Sequence, residues 1–156
     1  MATPLQIASA YAGIATGGTI YKPRVVKSVV GLDGREIRDL PKEKRYEYAL
    51  TTAQMNMIRE GLRRVVVSGT AKGAFAGMRI PVSGKTGTSE VFGKDDFAFF
   101  AGYAPSDGPR YVVSVVIEQG GHGSSAAAPA ARQVLEEIFE IEERRAERPV
   151  SARSEM

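Results

Sequence analysis

The chain reads as an α+β domain in which an antiparallel β-sheet is flanked by helices. Three observations predict this class: two capping boxes that each open an amphipathic stretch, three β-type segments joined by short turn-rich links, and an ordinary globular composition of 43% hydrophobic and 25% charged residues. At 156 residues the chain can bury one core, and it shows no internal repeat and no second domain.

Thr3-Pro4-Leu5-Gln6 fits a capping box, with Pro4 suited to the first helical position. A helix is expected from Pro4 to about Thr16, with Leu5, Ala8, Ala12 and Ala15 on its apolar face and Gly17-Gly18 as its left-handed stop. The β-branched run of residues 19–30 is interrupted by Pro23, which predicts an extended segment or an edge strand. Leu32-Asp33-Gly34-Arg35 then predicts a hairpin turn.

Thr51-Thr52-Ala53-Gln54 is a second capping box, followed by Met55, Ile58, Leu62, Val65 and Val66 at spacings of three and four. A helix from Thr52 to about Val67 follows, stopped by Ser68-Gly69. The period then changes, and residues 82–91, 97–103 and 111–118 are strand candidates linked by residues 92–96 and 104–109. Links this short make antiparallel neighbours.

Phe97-Ala98-Phe99-Phe100 and residues 112–117 are apolar on both faces, so these two strands are expected to be central and covered on each side. The strand holding Lys85 is more polar and belongs at an edge or a cleft. After a loop of Gly, Ser and Ala, Pro129 opens a last helix with Ala131, Val134, Leu135, Ile138 and Ile141 on one face. It is expected to fray near Glu147-Arg148-Pro149, leaving residues 146–156 as a polar tail to a segment of residues 1–145.

Composition removes several classes of function. Lys plus Arg exceed Asp plus Glu by only 21 to 18, and the positive charge is dispersed, which argues against nucleic acid. Cysteine is absent, so a disulfide frame or a thiolate metal site is impossible. No run of 18 apolar residues occurs, and the first ten residues carry no signal-peptide pattern.

The chemistry concentrates in Ser83-Gly84-Lys85-Thr86-Gly87-Thr88-Ser89. A phosphate-binding loop of the form G-x-x-x-x-G-K-[ST] would need glycine at position 79, where Arg79 stands, and Gly87 would weaken the helix that must follow. On a strand, Lys85, Gly87 and Ser89 share one face while Thr86 and Thr88 share the other. Such a strand presents an ammonium, hydroxyls and edge amides to an extended substrate, which suits a peptide carboxylate and a developing oxyanion.

Lys85-Thr86-Gly87-Thr88 resembles the third signature motif of penicillin-binding proteins and serine β-lactamases, whose other motifs are S-x-x-K and S-x-N. The likeness extends to Thr3-Pro4-Leu5-Gln6-Ile7-Ala8 with Tyr11-Ala12 and Gly17-Gly18, to Gly69-Thr70-Ala71, to Phe100-Ala101-Gly102-Tyr103-Ala104-Pro105, to Glu118, and to Ala127-Ala128-Pro129-Ala130. These pieces follow the order of class B penicillin-binding proteins over about residues 2 to 142, with details closer to the elongation type than to the septal type.

The resemblance implies part of a penicillin-binding-protein or serine-β-lactamase-like fold. It also implies that the parent is a D,D-transpeptidase cross-linking peptidoglycan through a serine acyl-enzyme, with no metal or organic cofactor. Lys85 and Thr88 would be catalytic: Lys85 would hydrogen-bond toward the serine of S-x-N, and the N–H of Thr88 would be one oxyanion donor. Thr86, Gly87, Thr88 and Ser89 would bind substrate, the threonines holding its carboxylate.

The implied partners are a peptidoglycan stem peptide, β-lactam antibiotics, the remainder of the same transpeptidase domain, and a cell-wall elongation or division complex. The parent would be anchored in the bacterial cytoplasmic membrane with this domain on the outer side.

Two of the family's motifs are missing. No serine has a lysine three residues later, and the only asparagine, Asn56, is preceded two residues earlier by Gln54, so neither S-x-x-K nor S-x-N is present. The chain is therefore expected to carry three of the family's five sheet strands, to expose apolar surface on its first helix and one open face, and to form no acyl-enzyme alone. A serine β-lactamase fragment and a noncatalytic β-lactam-sensing module are the alternative readings.

Other eye-catching residues have plainer explanations. His122, the only histidine, sits in a glycine loop and is expected to be exposed and idle. Asp95-Asp96 is expected in a hairpin turn, Phe97, Phe99, Phe100 and Tyr103 in the core, and the Arg/Glu run after Ile141 on a solvated helix face.

Overall fold

The computed structural model describes residues 2–147. Both capping boxes form. Thr3 N donates to Gln6 Oε1 at 2.8 Å and Gln6 N to Thr3 Oγ1 at 3.2 Å, opening α1 (Pro4–Ala15). Thr51 and Gln54 make the same exchange at 2.8 and 3.3 Å, opening α2 (Thr52–Val67). Arg59 of α2 donates to Ile14 O at 3.0 Å and Ala15 O at 2.8 Å, so one guanidinium satisfies carbonyls at the end of α1 and ties the two helices.

Between these helices the extended segment divides into two short strands, β1 (Thr19–Tyr21) and β2 (Ser28–Val30). β2 turns back on β3 (Glu36–Asp39) through the expected Asp33-Gly34 turn, where Gly34 has φ 76° and Asp33 Oδ1 accepts from Arg35 N at 3.1 Å. β1 pairs instead with β4 (Lys44–Glu47), a polar strand without apolar alternation and so without a period-2 signal.

After α2 comes α3 (Lys72–Phe75), a single turn whose Phe75 is buried against the Phe100 ring, 5.2 Å between centroids. The main sheet is antiparallel, in the order β5 (Ser83–Val91), β6 (Lys94–Ala104), β7 (Tyr111–Ile117). The β5–β6 turn is only Phe92-Gly93, so Asp95-Asp96 lies in β6 and not in the turn. A two-residue hairpin with Gly93 at φ 74° lets the ladder resume at once, and Val91 is already paired with Lys94. Only β6 is central. β7 is at the outside of this sheet, though α1 and α4 (Ala127–Glu147) both pack on it.

α4 starts two residues before Pro129, which therefore falls in the first turn, where its missing N–H costs no helical bond. The helix runs through Glu147. The expected fraying at Arg148-Pro149 and the remainder of the tail lie outside the described residues.

Val66, Phe75, Val82, Ala98, Phe100, Val113, Ala131, Leu135 and Phe139 form one core between the sheet and α2, α3 and α4. Of the expected aromatic core, Phe100 and Tyr103 are buried and Phe97 and Phe99 half-buried; alternation along β6 puts Phe100 on the core face and Phe97, Phe99 and Tyr103 on the other, where α1 lies. On α1 Leu5 is 60% exposed, beside a hollow of about 420 Å³ between α1, Ile20 and Tyr46. None of the expected site residues lines that hollow.

Candidate active site

Register places the K-T-G strand. Gly84 sits opposite Gly102, and a Cβ on Gly84 would fall 2.5 Å from Phe100 Cζ and 2.6 Å from Ala101 O, so the Phe100 ring occupies the space that two side chains would need. That fit locks β5 on β6, with Lys85 opposite Ala101, Thr86 opposite Phe100, Gly87 opposite Phe99 and Thr88 opposite Ala98. A slip of one residue would turn Lys85 into the core.

The side chains divide as the alternation predicts. Thr86 points to the core side and is 8% exposed, with its hydroxyl 2.7 Å from the hydroxyl of Thr70 in the turn after α2. Thr88 is exposed farther along the strand on the same side. Lys85, Gly87 and Ser89 face the other way. Lys85 and Ser89 are exposed and Gly87 is half-buried. Lys85 Nζ curls back to donate to Thr86 O at 2.7 Å.

Lys85 and Gly87 form one wall of a hollow of about 230 Å³, with Ile7 and Tyr11 of α1, Phe99 of β6 and Ser114 of β7 around it. Burial pushes the Tyr11 phenol above its ordinary range and the nearby Tyr103 adds to the shift, so Tyr11 is a neutral hydrogen-bonding group at this wall.

The backbone matters as much as the side chains. Gly87 N, Gly87 O and Phe99 O all lie within 3.0 Å of one point above the β5–β6 ladder, so Gly87 turns its amide and carbonyl toward β6. Antiparallel alternation then turns the amides and carbonyls of Thr86 and Thr88 outward. Among the described residues β5 has no neighbour on that side. The outer edge thus combines the Thr88 N–H, the Thr88 hydroxyl and the Lys85 ammonium, a set of donors suited to an extended anionic peptide.

Other singled-out residues lie elsewhere. His122 is exposed, and its carbonyl accepts from Ser125 N and Ala126 N, both at 3.1 Å. Asp95 is exposed on β6, and no group of three or more His, Cys, Asp or Glu side chains among the described residues could hold a metal ion. The Thr70–Thr86 contact was not foreseen. Gly69-Thr70-Ala71 stood out in the sequence, but nothing local says that its hydroxyl meets a strand 16 residues on.

Residues 1–136 match the model of the penicillin binding protein transpeptidase domain. The peptidoglycan D,D-transpeptidase MrdA of Haemophilus influenzae is 33% identical over 160 residues, spanning 86% of this chain and 23% of that protein. The D,D-transpeptidase domain of a peptidoglycan glycosyltransferase from Eggerthella lenta superposes with a TM-score of 0.78 at 34% identity, over 90% of this chain and 33% of that one. An imipenem acyl-enzyme complex of penicillin-binding protein A from M. tuberculosis superposes with a TM-score of 0.74 at 29% identity, over 88% and 31%.

The chain therefore spans about a quarter of the curated relative and a third of the solved domain. With its α+β architecture and its match over residues 1–136, the chain belongs to the penicillin-binding protein transpeptidase domain family.

Proposed function

We propose that these residues supply the substrate strand of a peptidoglycan D,D-transpeptidase whose nucleophilic serine lies outside the 156 residues. The observation that carries this reading is the open edge of β5, where Lys85 and the outward amide of Thr88 stand together in a chain of the transpeptidase family. Lys85 assists proton transfer around the nucleophile through the serine of S-x-N. The N–H of Thr88 donates to the oxyanion of the tetrahedral intermediate, a kind of contact worth roughly 100- to 1000-fold in rate. The hydroxyls of Thr86 and Thr88 hold the carboxylate end of the stem peptide or of a β-lactam, and Gly87 and Ser89 belong to the rest of the substrate-binding strand.

The serine attacks the carbonyl of the stem peptide's last peptide bond and releases its terminal residue as a free amine, and an amine of a neighbouring strand then displaces the serine from the acyl-enzyme, a two-step transfer that needs no metal. The remainder of the transpeptidase domain covers α1 and completes the cleft. The parent is anchored in the bacterial cytoplasmic membrane, works on its outer side and joins an elongation or division complex, with the elongation type favoured. Among the described residues no helix is long and apolar enough to cross a membrane.

Labelled penicillin tests the reading. The 156-residue chain alone stays unlabelled, the full-length transpeptidase carrying it is labelled and stays acylated, and Lys85→Ala in that protein slows labelling by about 100-fold or more. Labelling of the isolated chain contradicts a nucleophile outside it. Rapid turnover of a chromogenic cephalosporin favours a β-lactamase, and reversible penicillin binding with no covalent product favours a noncatalytic sensing module.

A further inference from the structure

The loop of residues 118–126, between β7 and α4, takes no part in the site described above, yet it bears directly on the substrate strand. A Cβ built on Gly123 would lie 2.3 Å from Gly87 O, 2.3 Å from Phe99 O and 3.0 Å from Gly87 N. All three are backbone atoms of the β5–β6 ladder, so no side-chain rotation relieves the contact. Gly123 is buried, and its φ is outside the left-handed region that would require glycine, so space alone demands the missing side chain. Gly121 in the same loop is the reverse case, with φ 69° and nothing within 4 Å of its Cβ position.

The loop has little freedom to lift away. Gly121 N donates to Asp96 O at 2.9 Å, which pins its start to β6. Gly123 O accepts from Ala128 N at 2.8 Å, and Ala127 and Ala128, the first residues of α4, are fully buried. With both ends held, added bulk at position 123 moves the ladder at Gly87 more readily than it moves the loop. One residue beyond Gly87 is Thr88, whose outward amide is the proposed oxyanion donor.

We propose that Gly123 is a positioning residue that seats the substrate strand at the height its outward amides need, a role resting on the reading of β5 given above. Because the oxyanion forms only during acylation, a displaced Thr88 amide slows that step more than it weakens initial binding. A misplacement near 1 Å costs on the order of 100-fold in rate, and a few tenths of an ångström proportionately less.

The test uses the full-length transpeptidase carrying this segment and measures, with fluorescent penicillin, the first-order acylation constant and the pre-covalent dissociation constant separately. Gly123→Ala is expected to lower the acylation constant about 10- to 100-fold while the dissociation constant changes less than about threefold. Gly108→Ala, at φ 64° with nothing within 4 Å in the link between β6 and β7, is the control for backbone strain: it lowers the melting temperature and leaves acylation of the folded protein unchanged. Normal acylation by Gly123→Ala beside a slow Lys85→Ala overturns the proposal and leaves the site reading intact. Normal acylation by both overturns the site reading and the proposal with it. If Gly123→Ala does not fold, a glycine inserted between Ser124 and Ser125 loosens the tether without adding bulk. Acylation slowed at least about threefold then supports the proposal, and an unchanged rate overturns it.

Discussion

In the main sheet each strand lies against at least one helix, whereas β2 and β3 make substantial contact only with each other. The apolar residues show the same division. Leu135 and Phe100 are 0% and 1% exposed, while Leu32 and Ile37, at and beside the hairpin tip, are 111% and 71% exposed. The sheet is held by burial of side chains from distant parts of the chain, and the hairpin by its ladder and its turn. The sheet carries the K-T-G strand, and the β2–β3 hairpin has no comparable burial to hold it as closely.

The largest expected difference comes from removing one apolar side chain on each side. Leu135→Ala should cost about 2–5 kcal/mol in urea unfolding, and Ile37→Ala no more than about 0.5 kcal/mol. Equal losses would mean that the hairpin is as well packed as the sheet.

Glycines sharpen the comparison at a smaller scale. Gly84→Ala meets the Phe100 ring and should cost about 1–3 kcal/mol. Gly34→Ala meets nothing within 4 Å but strains a residue at φ 76°, for about 1 kcal/mol. Asn at position 34 should recover part of that loss because it tolerates the left-handed region, while Asn at 84 should recover nothing. Recovery at both positions would remove the distinction between a steric and a torsional glycine.

The smallest effect belongs to the charges flanking the β1–β4 pair. A hydrogen bond from Lys22 holds the Glu43 carboxyl below its ordinary range, with the Lys22 charge contributing next. A depressed carboxylate stabilises above its unfolded pKa and loses that contribution as pH falls through the folded value. Both side chains are more than half exposed, so Lys22→Ala should leave the urea midpoint unchanged at physiological salt. Any shift should appear only at low salt and fade as pH falls from the ordinary carboxylate range through the lowered folded value. A salt-independent shift would mean that the β1–β4 pair is held by its ion pairs.

Much of the fold was legible because its signals are local. Thr3/Gln6 and Thr51/Gln54 satisfy their own helix ends, so both starts could be read to the residue. Asp33-Gly34 announced its turn through the left-handed glycine, and the alternation at Lys85 and Thr86 assigned their faces before any packing was known. The two-residue β5–β6 turn was hidden because Lys94-Asp95-Asp96 has loop-like composition yet pairs from Lys94 onward. Propensity yielded there to the ladder.

The sequence by itself determined the helix starts, the period of the strands and a K-T-G strand with its ammonium and its threonines on opposite faces, because caps, turns and alternation act within a few residues. Tertiary structure alone decided that β1 pairs with β4, that β6 and not β7 is central, that Thr86 is held by Thr70, and that Gly123 rests on the backbone of Gly87. Those contacts join parts of the chain with no local reason to meet, and close packing of backbone and side chains, not propensity, selects them.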